Sequence, residues 1–540
     1  MMSLLAPGCP KIPALVGLYL CLGVLGQVMG ANPPRVGWWQ KQSQEAEAHL
    51  DRGLQLAHAG DLPTSENELR LALRLKPGDA EILSSLATVL AIEKKFEEST
   101  LLFERALKLN AGDLRSRRHL AANLYQLHRY AEAGQNLKVV LKSEPADPQA
   151  RIMLGLVSEA IGDYATAVAM LASFPGLARE QPEAALALAR SYYRTGDQEK
   201  GAAVLAGLAN GPLRPQGALL GAKVADDMRD YATAEKLLNA IPAESQDHGT
   251  ALYRLAAVKF HAKQYDECDK ILQRLIAAGT RNDEILRLLG WSYHRRKQDD
   301  KAIATFRQAI EYKPTEERNY LDLGALLLEQ KKFSAALELA NRAVTAFPTS
   351  AHALALVGSV EFAMERFTDA VKIYSRALEL DRDDAEIVRS LARAQADAGM
   401  SDQAKTTLQN AIQRFPQKAP FEVEFAGILL KENDWDASSQ AHAEPLLRAA
   451  AKHDPMMVEA QSQLGELALR QGRTAVAVIH LENAVKLSPD SARAHFALAR
   501  GYRRVGRLEE ATRETSLYEK LKLQDASEAS TPASDVTSSE

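Results

Sequence analysis

Cysteine is nearly absent: Cys9, Cys21 and Cys268 are the only three in 540 residues. Cys9 and Cys21 fall in an apolar N-terminal stretch, so the rest of the chain has one thiol, no internal disulfide, and a fold that packing alone must hold. Charge of one sign is lacking too. The chain has 66 basic and 70 acidic residues, a formal net charge of −4, which provides no bulk attraction to nucleic acid or to an acidic membrane. Any charged site must be local. Sequences that carry common chemistries are also missing: there is no H-E-x-x-H, no C-x-x-C and no Walker-type glycine-rich loop. His119 and His128, like His442 and His453, are isolated pairs without a ligand set. The expectation is a protein that is not an enzyme and holds no cofactor or metal. With 46% hydrophobic, 25% charged and 6% aromatic residues, the composition is that of an ordinary soluble protein, which excludes collagen-like, coiled-coil-only and largely disordered chains.

No charged residue lies between Lys11 and Arg35, and Ile12 to Met29 is mostly apolar. A lone lysine, an apolar run and small residues at Gly30 and Ala31 follow the order of a secretory signal. The alternative is an uncleaved membrane anchor through residues 12–31, with Trp38 and Trp39 at the interface. Residues 1–31 are therefore expected to be a signal peptide or N-terminal membrane anchor, and 32–44 a linker. Leu18, Tyr19 and Leu20 before Cys21 are too bulky for a lipidated cysteine. No asparagine stands in an N-x-Ser/Thr acceptor, which favours a bacterial envelope over the eukaryotic secretory route. The expected location is periplasmic or associated with the cell envelope.

Beyond that stretch the chain repeats. A small residue recurs at Gly53, Ala87, Ala121, Gly155, Ala189, Ala222, Ala256, Gly290, Gly324, Gly358, Ala392, Gly427, Gly465 and Ala499, in steps of 33 to 38 that are mostly 34. A second small position follows twelve residues later, as in Ala133, Ala302 and Ala477, or Ser65, Ser99 and Cys268. There Cys268 fits a packing role better than a nucleophilic one. Bulky residues such as Phe103, Leu137, Phe306, Tyr374 and Leu481 lie at helical spacing from the small ones. Each unit is thus two amphipathic helices crossing at a small-residue contact. Pro77, Pro145, Pro314, Pro348, Pro416, Pro455 and Pro489 stop the second helix, and an acidic residue often follows to cap the next. Gly207–Gly217 should loosen the stacking. Four extra residues around Ser438–His442 should lengthen a turn or a helix end.

This pattern resembles the tetratricopeptide repeat family. The copy beginning at Asp283 matches best, with Leu286, Leu289, Gly290, Tyr293, Ala302, Phe306, Ala309 and Pro314 on the family's signature positions. The resemblance implies an all-α, right-handed α-solenoid (superhelix) of about fourteen helix-turn-helix repeats. Repeats 1–5 would occupy residues 45–212 and repeats 6–14 residues 213–522, followed by a disordered acidic Ser/Thr-rich tail over 523–540.

In that family the first helix of each pair lines the groove. Repeats five to eight would then present Arg190, Tyr193, Arg194, Lys223, Tyr253, Phe260, Arg287, Trp291, His294 and Arg295 there. Arg287, Trp291 and His294 are four and three residues apart, which sets them on one helical face. Cations beside aromatic rings suit an extended acidic peptide; the alternative is that they merely solvate a helix face and cover core edges. The family's Lys and Asn carboxylate clamp has no counterpart, because no asparagine occupies these positions. Arg493, Arg500, Arg503 and Arg504 suit a polar terminal cap. The function implied is a non-enzymatic protein-protein interaction scaffold binding peptide or helical segments of partner proteins, in assembly of a secretion, pilus or polysaccharide-export complex. The alternative is a chaperone-like holder of exported unfolded clients.

Overall fold

The computed structural model describes residues 36–210, 214–432 and 434–529. The expected signal or anchor, and most of the expected tail, lie outside them. The chain divides into two compact units, Met1–Leu213 and Arg214–Glu540. The first unit contains α1 (Val36–Ala59), α2 (Leu62–Leu75), α3 (Ala80–Ile92), α4 (Phe96–Leu109), α5 (Leu114–Gln126), α6 (Tyr130–Ser143), α7 (Pro148–Ala160), α8 (Tyr164–Leu171), α9 (Leu177–Glu180), α10 (Pro182–Arg194) and α11 (Gln198–Ala209). The second begins with α12 (Arg214–Asp227), α13 (Tyr231–Asn239), α14 (His248–His261), α15 (Tyr265–Ala277), α16 (Asp283–Arg295), α17 (Asp299–Tyr312), α18 (Glu317–Glu329), α19 (Phe333–Ala346) and α20 (Ala351–Ala363). It continues with α21 (Phe367–Leu380), α22 (Ala385–Asp397), α23 (Ser401–Arg414), α24 (Ala419–Glu432), α25 (Ala437–His453), α26 (Val458–Arg470), α27 (Thr474–Leu487), α28 (Ala492–Arg504) and α29 (Leu508–Ala529). Among the described residues every element is a helix, and all but the short α9 fall into fourteen consecutive pairs, one for each copy of the repeat. The fold is an α-solenoid.

The small residues do what their spacing implies. A Cβ added to Gly290 would lie 2.8 Å from the Phe306 ring, and one on Gly358 equally close to Tyr374. The first helix therefore comes near enough for the ring of the second to cover bare backbone. Alanines at the same position, such as Ala87, Ala121, Ala256 and Ala392, have no exposed surface. Two serines at the second small position add a bond to the contact: Ser65 Oγ donates to the Gly53 carbonyl at 2.7 Å, and Ser99 Oγ to that of Ala87 at 2.6 Å. Cys268 is buried and reduced, in contact with Ala256, Leu272 and their neighbours; burial pushes its thiol up to about 12, which leaves it un-ionised and inert.

Between the helices of each pair the chain turns through one residue in the left-handed region, except before α25, where Asp434 precedes Trp435 there. Six of these are glycines, including Gly60, Gly399 and Gly472, while Lys94, His128, Arg229, Lys263, Lys297, Lys331, Glu365 and Trp435 serve elsewhere. The following N–H returns to the carbonyl five residues back, as from Gln298 to Tyr293 at 2.9 Å and from Lys332 to Leu327 at 2.8 Å. This closes the last open carbonyls of the first helix. At the other junction, acids after the prolines cap the next first helix. Asp79 Oδ1 accepts from the Glu81 and Ile82 N–H groups at 2.9 and 3.2 Å at the start of α3, and Asp147 and Asp384 do the same at the starts of α7 and α22.

Regularity lapses where the sequence does. α11 ends at Ala209 and α12 begins at Arg214, with Pro215 in its first turn. The inserted Ser438–His442 segment is absorbed into α25, which runs to 17 residues against the 14 of its equivalent α27. The expectation of disorder from residue 523 needs correction, because α29 continues to Ala529. Gln524–Ala529 contains no glycine or proline, and the first helix breaker is Pro532.

Candidate functional site

Within each unit the first helices of neighbouring pairs touch: α1, α3, α5, α7 and α10 in series, then α12 through α24, and α26 with α28. Among the described residues, second helices make no comparable contact with one another. The first helices are therefore the closely spaced row, and all ten sequence-predicted site residues stand on them: Arg190, Tyr193 and Arg194 in the first unit, the other seven in the second.

The structure does not leave these ten side chains equally available. Arg190 Nε donates to Glu159 Oε1 on α7 at 2.7 Å and Nη2 to Oε2 at 3.3 Å, a two-pronged pair to the neighbouring first helix. Arg287 Nε reaches Asp322 Oδ2 on α18 at 2.5 Å, both side chains being 15% exposed. His294 is buried, with Nδ1 2.8 Å from Asp299 Oδ1 and Nε2 3.2 Å from Glu329 Oε2 of α18. Tyr193 folds over Gly201 on its own partner helix. Tyr253 and Phe260 are half-buried against the Ala256–Leu289 core cluster, and burial, with Glu284 adding to it, raises the Tyr253 hydroxyl above the usual tyrosine range. Trp291 packs edge to face on Phe306 at 5.3 Å and on His294 at 5.7 Å. Arg194, Lys223 and Arg295 are exposed.

The acids that complete this arrangement are absent from the sequence-based set. Glu159, Asp322 and Glu329 each stand 31 or 35 residues from the base they hold. The same spacing joins His261 Nδ1 of α14 to Asp226 of α12, 2.9 Å from both carboxylate oxygens. That hydrogen bond holds the His261 imidazole above its ordinary pKa, against burial. Arg389 Nη1 of α22 reaches Glu424 Oε1 of α24 at 3.4 Å. The first-helix row thus carries a ladder of ion pairs between adjacent copies. An opposite charge about one repeat further along is the signal that would have revealed it.

The terminal arginines are also engaged: Arg493 with Glu466, Arg503 Nη2 with Thr515 Oγ1 at 2.9 Å, Arg504 with the Leu469 carbonyl, and Arg500 over the Phe496 ring. Among the described residues no group of His, Cys, Asp and Glu is placed to hold a metal, and no helix is long and apolar enough to cross a membrane.

Comparison with known proteins adds three findings. Among curated proteins, the type IV pilus assembly protein PilF of Pseudomonas aeruginosa is 27% identical over 183 residues, 34% of this chain and 72% of PilF. Human protein O-mannosyl-transferase TMTC1 is 27% identical over 28% of this chain and 18% of its own length; the CTR9 homologue of Arabidopsis thaliana is 22% identical over 62% and 32%. Among solved structures, yeast Tom70 aligns over 90% of this chain and 97% of its own, at 16% identity and a TM-score of 0.43. Naa15/Naa10 bound to HypK-THB aligns over 90% and 95%, at 13% identity and 0.39. Three sequence models of the tetratricopeptide repeat match residues 118–178, 247–315, 321–385, 361–420, 441–481 and 464–514, together more than half of the chain. With those matches over more than half of it, and fourteen consecutive helix pairs among the described residues, the chain belongs to the tetratricopeptide repeat family.

Proposed function

We propose that this protein is a non-enzymatic scaffold that receives an extended or helical segment of another protein along its first-helix row. The observation that carries the reading is the ion-pair ladder on that row. Arg287, His294 and their acids are held by neighbours on adjacent helices, so little rotamer freedom is left to lose when a partner docks. The half-buried rings of Tyr253, Phe260 and Trp291 supply contact area, and the exposed cations Lys223 and Arg295 supply charge. In this reading the partner is a protein, not a nucleic acid.

The setting we propose is the cell envelope, reached through residues 1–31 by export or by membrane anchoring, with a part in assembling a secretion, pilus or polysaccharide-export complex. The similarity to a pilus assembly protein supports that setting, as does the N-terminal apolar run. A photo-crosslinker at Ala257 or Ala325, on the first-helix row, should capture a small fixed set of proteins in cells, and Trp291→Ala with Arg295→Glu should abolish the capture. Equal capture from Leu101, on the second helix α4, would defeat the reading, and many weakly held clients would favour a chaperone-like holder. Fractionation of the same cells reads the location.

A further inference from the structure

We infer that Arg389 and Arg393 of α22 form an anchor for an acidic side chain of a partner segment, and that Glu424 of α24 controls it by taking up a proton. The inference deepens the proposed function and rests on the first-helix row being the docking side.

The two arginines are four residues apart and share one face of α22. Arg393 is exposed and, among the described residues, makes no hydrogen bond or ion pair with an acid, though its charge acts on Glu424; its guanidinium carbon lies 5.6 Å from the centroid of Phe362 on α20, so the ring forms a shelf beneath it. Arg389 donates through Nη2 and Nε to Glu386 Oε2 at 2.6 and 3.1 Å, and turns Nη1 to Glu424 Oε1 at 3.4 Å. That last contact is single and long, unlike the 2.5 and 2.7 Å rungs at Arg287 and Arg190. The other carboxylate oxygen, Oε2, is shielded from solvent and has no hydrogen-bond partner. A proton on Oε2 would remove the buried negative charge and release Arg389 Nη1, while Glu386 keeps hold of Nε and Nη2.

Burial lifts the Glu424 carboxyl to about 7, against the pull of Arg389 and Arg393 and with Glu386 adding to the rise. Of the other charged groups on the helices packed here, Lys405 and Arg414 of α23 pair with Asp402 and Asp383, His453 of α25 with Glu422, and Lys431 of α24 with Asp397 of α22. Ionised, Glu424 competes with an incoming acid for Arg389. Neutral, it leaves Arg389 Nη1 and the Arg393 guanidinium on its Phe362 shelf for the incoming carboxylate, with Glu386 still fixing the other edge of Arg389. One proton moves from solvent to Glu424 as the acid is seated, and no covalent bond changes.

The test titrates the full chain with fluorescein-labelled hexaglutamate at pH 6, 7 and 8, with hexalysine as the control. If only the neutral form binds, affinity should fall about tenfold between pH 6 and pH 8, following the neutral fraction. Glu424→Gln should hold the pH 6 affinity at pH 8. Arg393→Ala, an exposed change that keeps the fold testable by circular dichroism, should weaken binding at every pH. A Glu424→Gln protein with the wild-type pH dependence, or an Arg393→Ala protein with unchanged binding, would overturn the inference. Loss of hexaglutamate binding with intact capture from Ala257 would remove this anchor alone. The converse would remove the broader reading.

Discussion

Gly290 and Phe306 show how much a single methyl group decides. A Cβ at Gly290 would sit 2.8 Å from a fully buried ring that itself packs against Trp291, so nothing nearby can give way. Gly290→Ala should cost about 1–3 kcal/mol, read from the urea midpoint. Two titratable groups make the protein acid-sensitive. Burial, reinforced by Arg115 and Arg118, brings the His119 imidazole down from 6.5 to about 4. For Glu66, burial works against ionisation, but hydrogen bonds from Lys95 and Arg70 prevail and bring its carboxyl from 4.5 to about 2. Both groups bind fewer protons folded than unfolded within those windows. Stability should therefore fall from pH 6.5 toward 4 through His119, and from 4.5 toward 2 through Glu66. Each contributes roughly 1–3 kcal/mol after solvent screening. Chemical unfolding across pH 2–7 reads both, and His119→Phe should flatten only the upper limb. At this scale the sequence was only half legible. Small residues and their bulky covers could be read because both lie within one copy. Arg190 and Arg287 read as free cations because their acids stand in the neighbouring copy, in a register that only the stacking of pairs determines.

At the scale of the helix, boundaries followed from proline, acidic caps and the regular return of small residues. The turn inside each pair was less visible. Eight of the copies make it with a lysine, arginine, histidine, glutamate or tryptophan in a backbone region that glycine adopts more easily. Lys331, exposed and at φ 53°, is the clearest instance. Lys331→Gly should stabilise the protein by about 0.5–1 kcal/mol, whereas Gly399→Val should destabilise it by at least as much; thermal unfolding distinguishes the signs. The ladder also belongs to this scale. Asp322→Ala strands the half-buried Arg287 guanidinium on α16 and should cost about 1–3 kcal/mol. Asp322→Asn, which keeps an acceptor, should recover part of that loss in the same measurement.

For the whole molecule, the buried clusters succeed one another along the chain: residues 302–360, then 351–394, 388–421, 419–467 and 468–511. Each of these clusters spans only two or three neighbouring helix pairs, so damage should stay local. Leu481→Ala should raise amide hydrogen exchange across α26 to α29 and leave α1 to α7 unchanged, as mass spectrometry of exchanged peptides would show. Uniform loss of protection would contradict this. The repeat count and the solenoid were legible because periodicity is a property of the chain; the partner was not, because it is a property of paired and unpaired side chains.

The serial ion pairs have a last consequence, for how such a chain can change over generations. Helix pairs with identical outer contacts could be duplicated, lost or reordered like interchangeable bricks. Here loss of either copy between α14 and α20 would remove one side of both the Arg287–Asp322 and the His294–Glu329 pairs, stranding the other side at the new seam. Each pair is keyed to its neighbour, and the order of copies is part of what must be inherited intact.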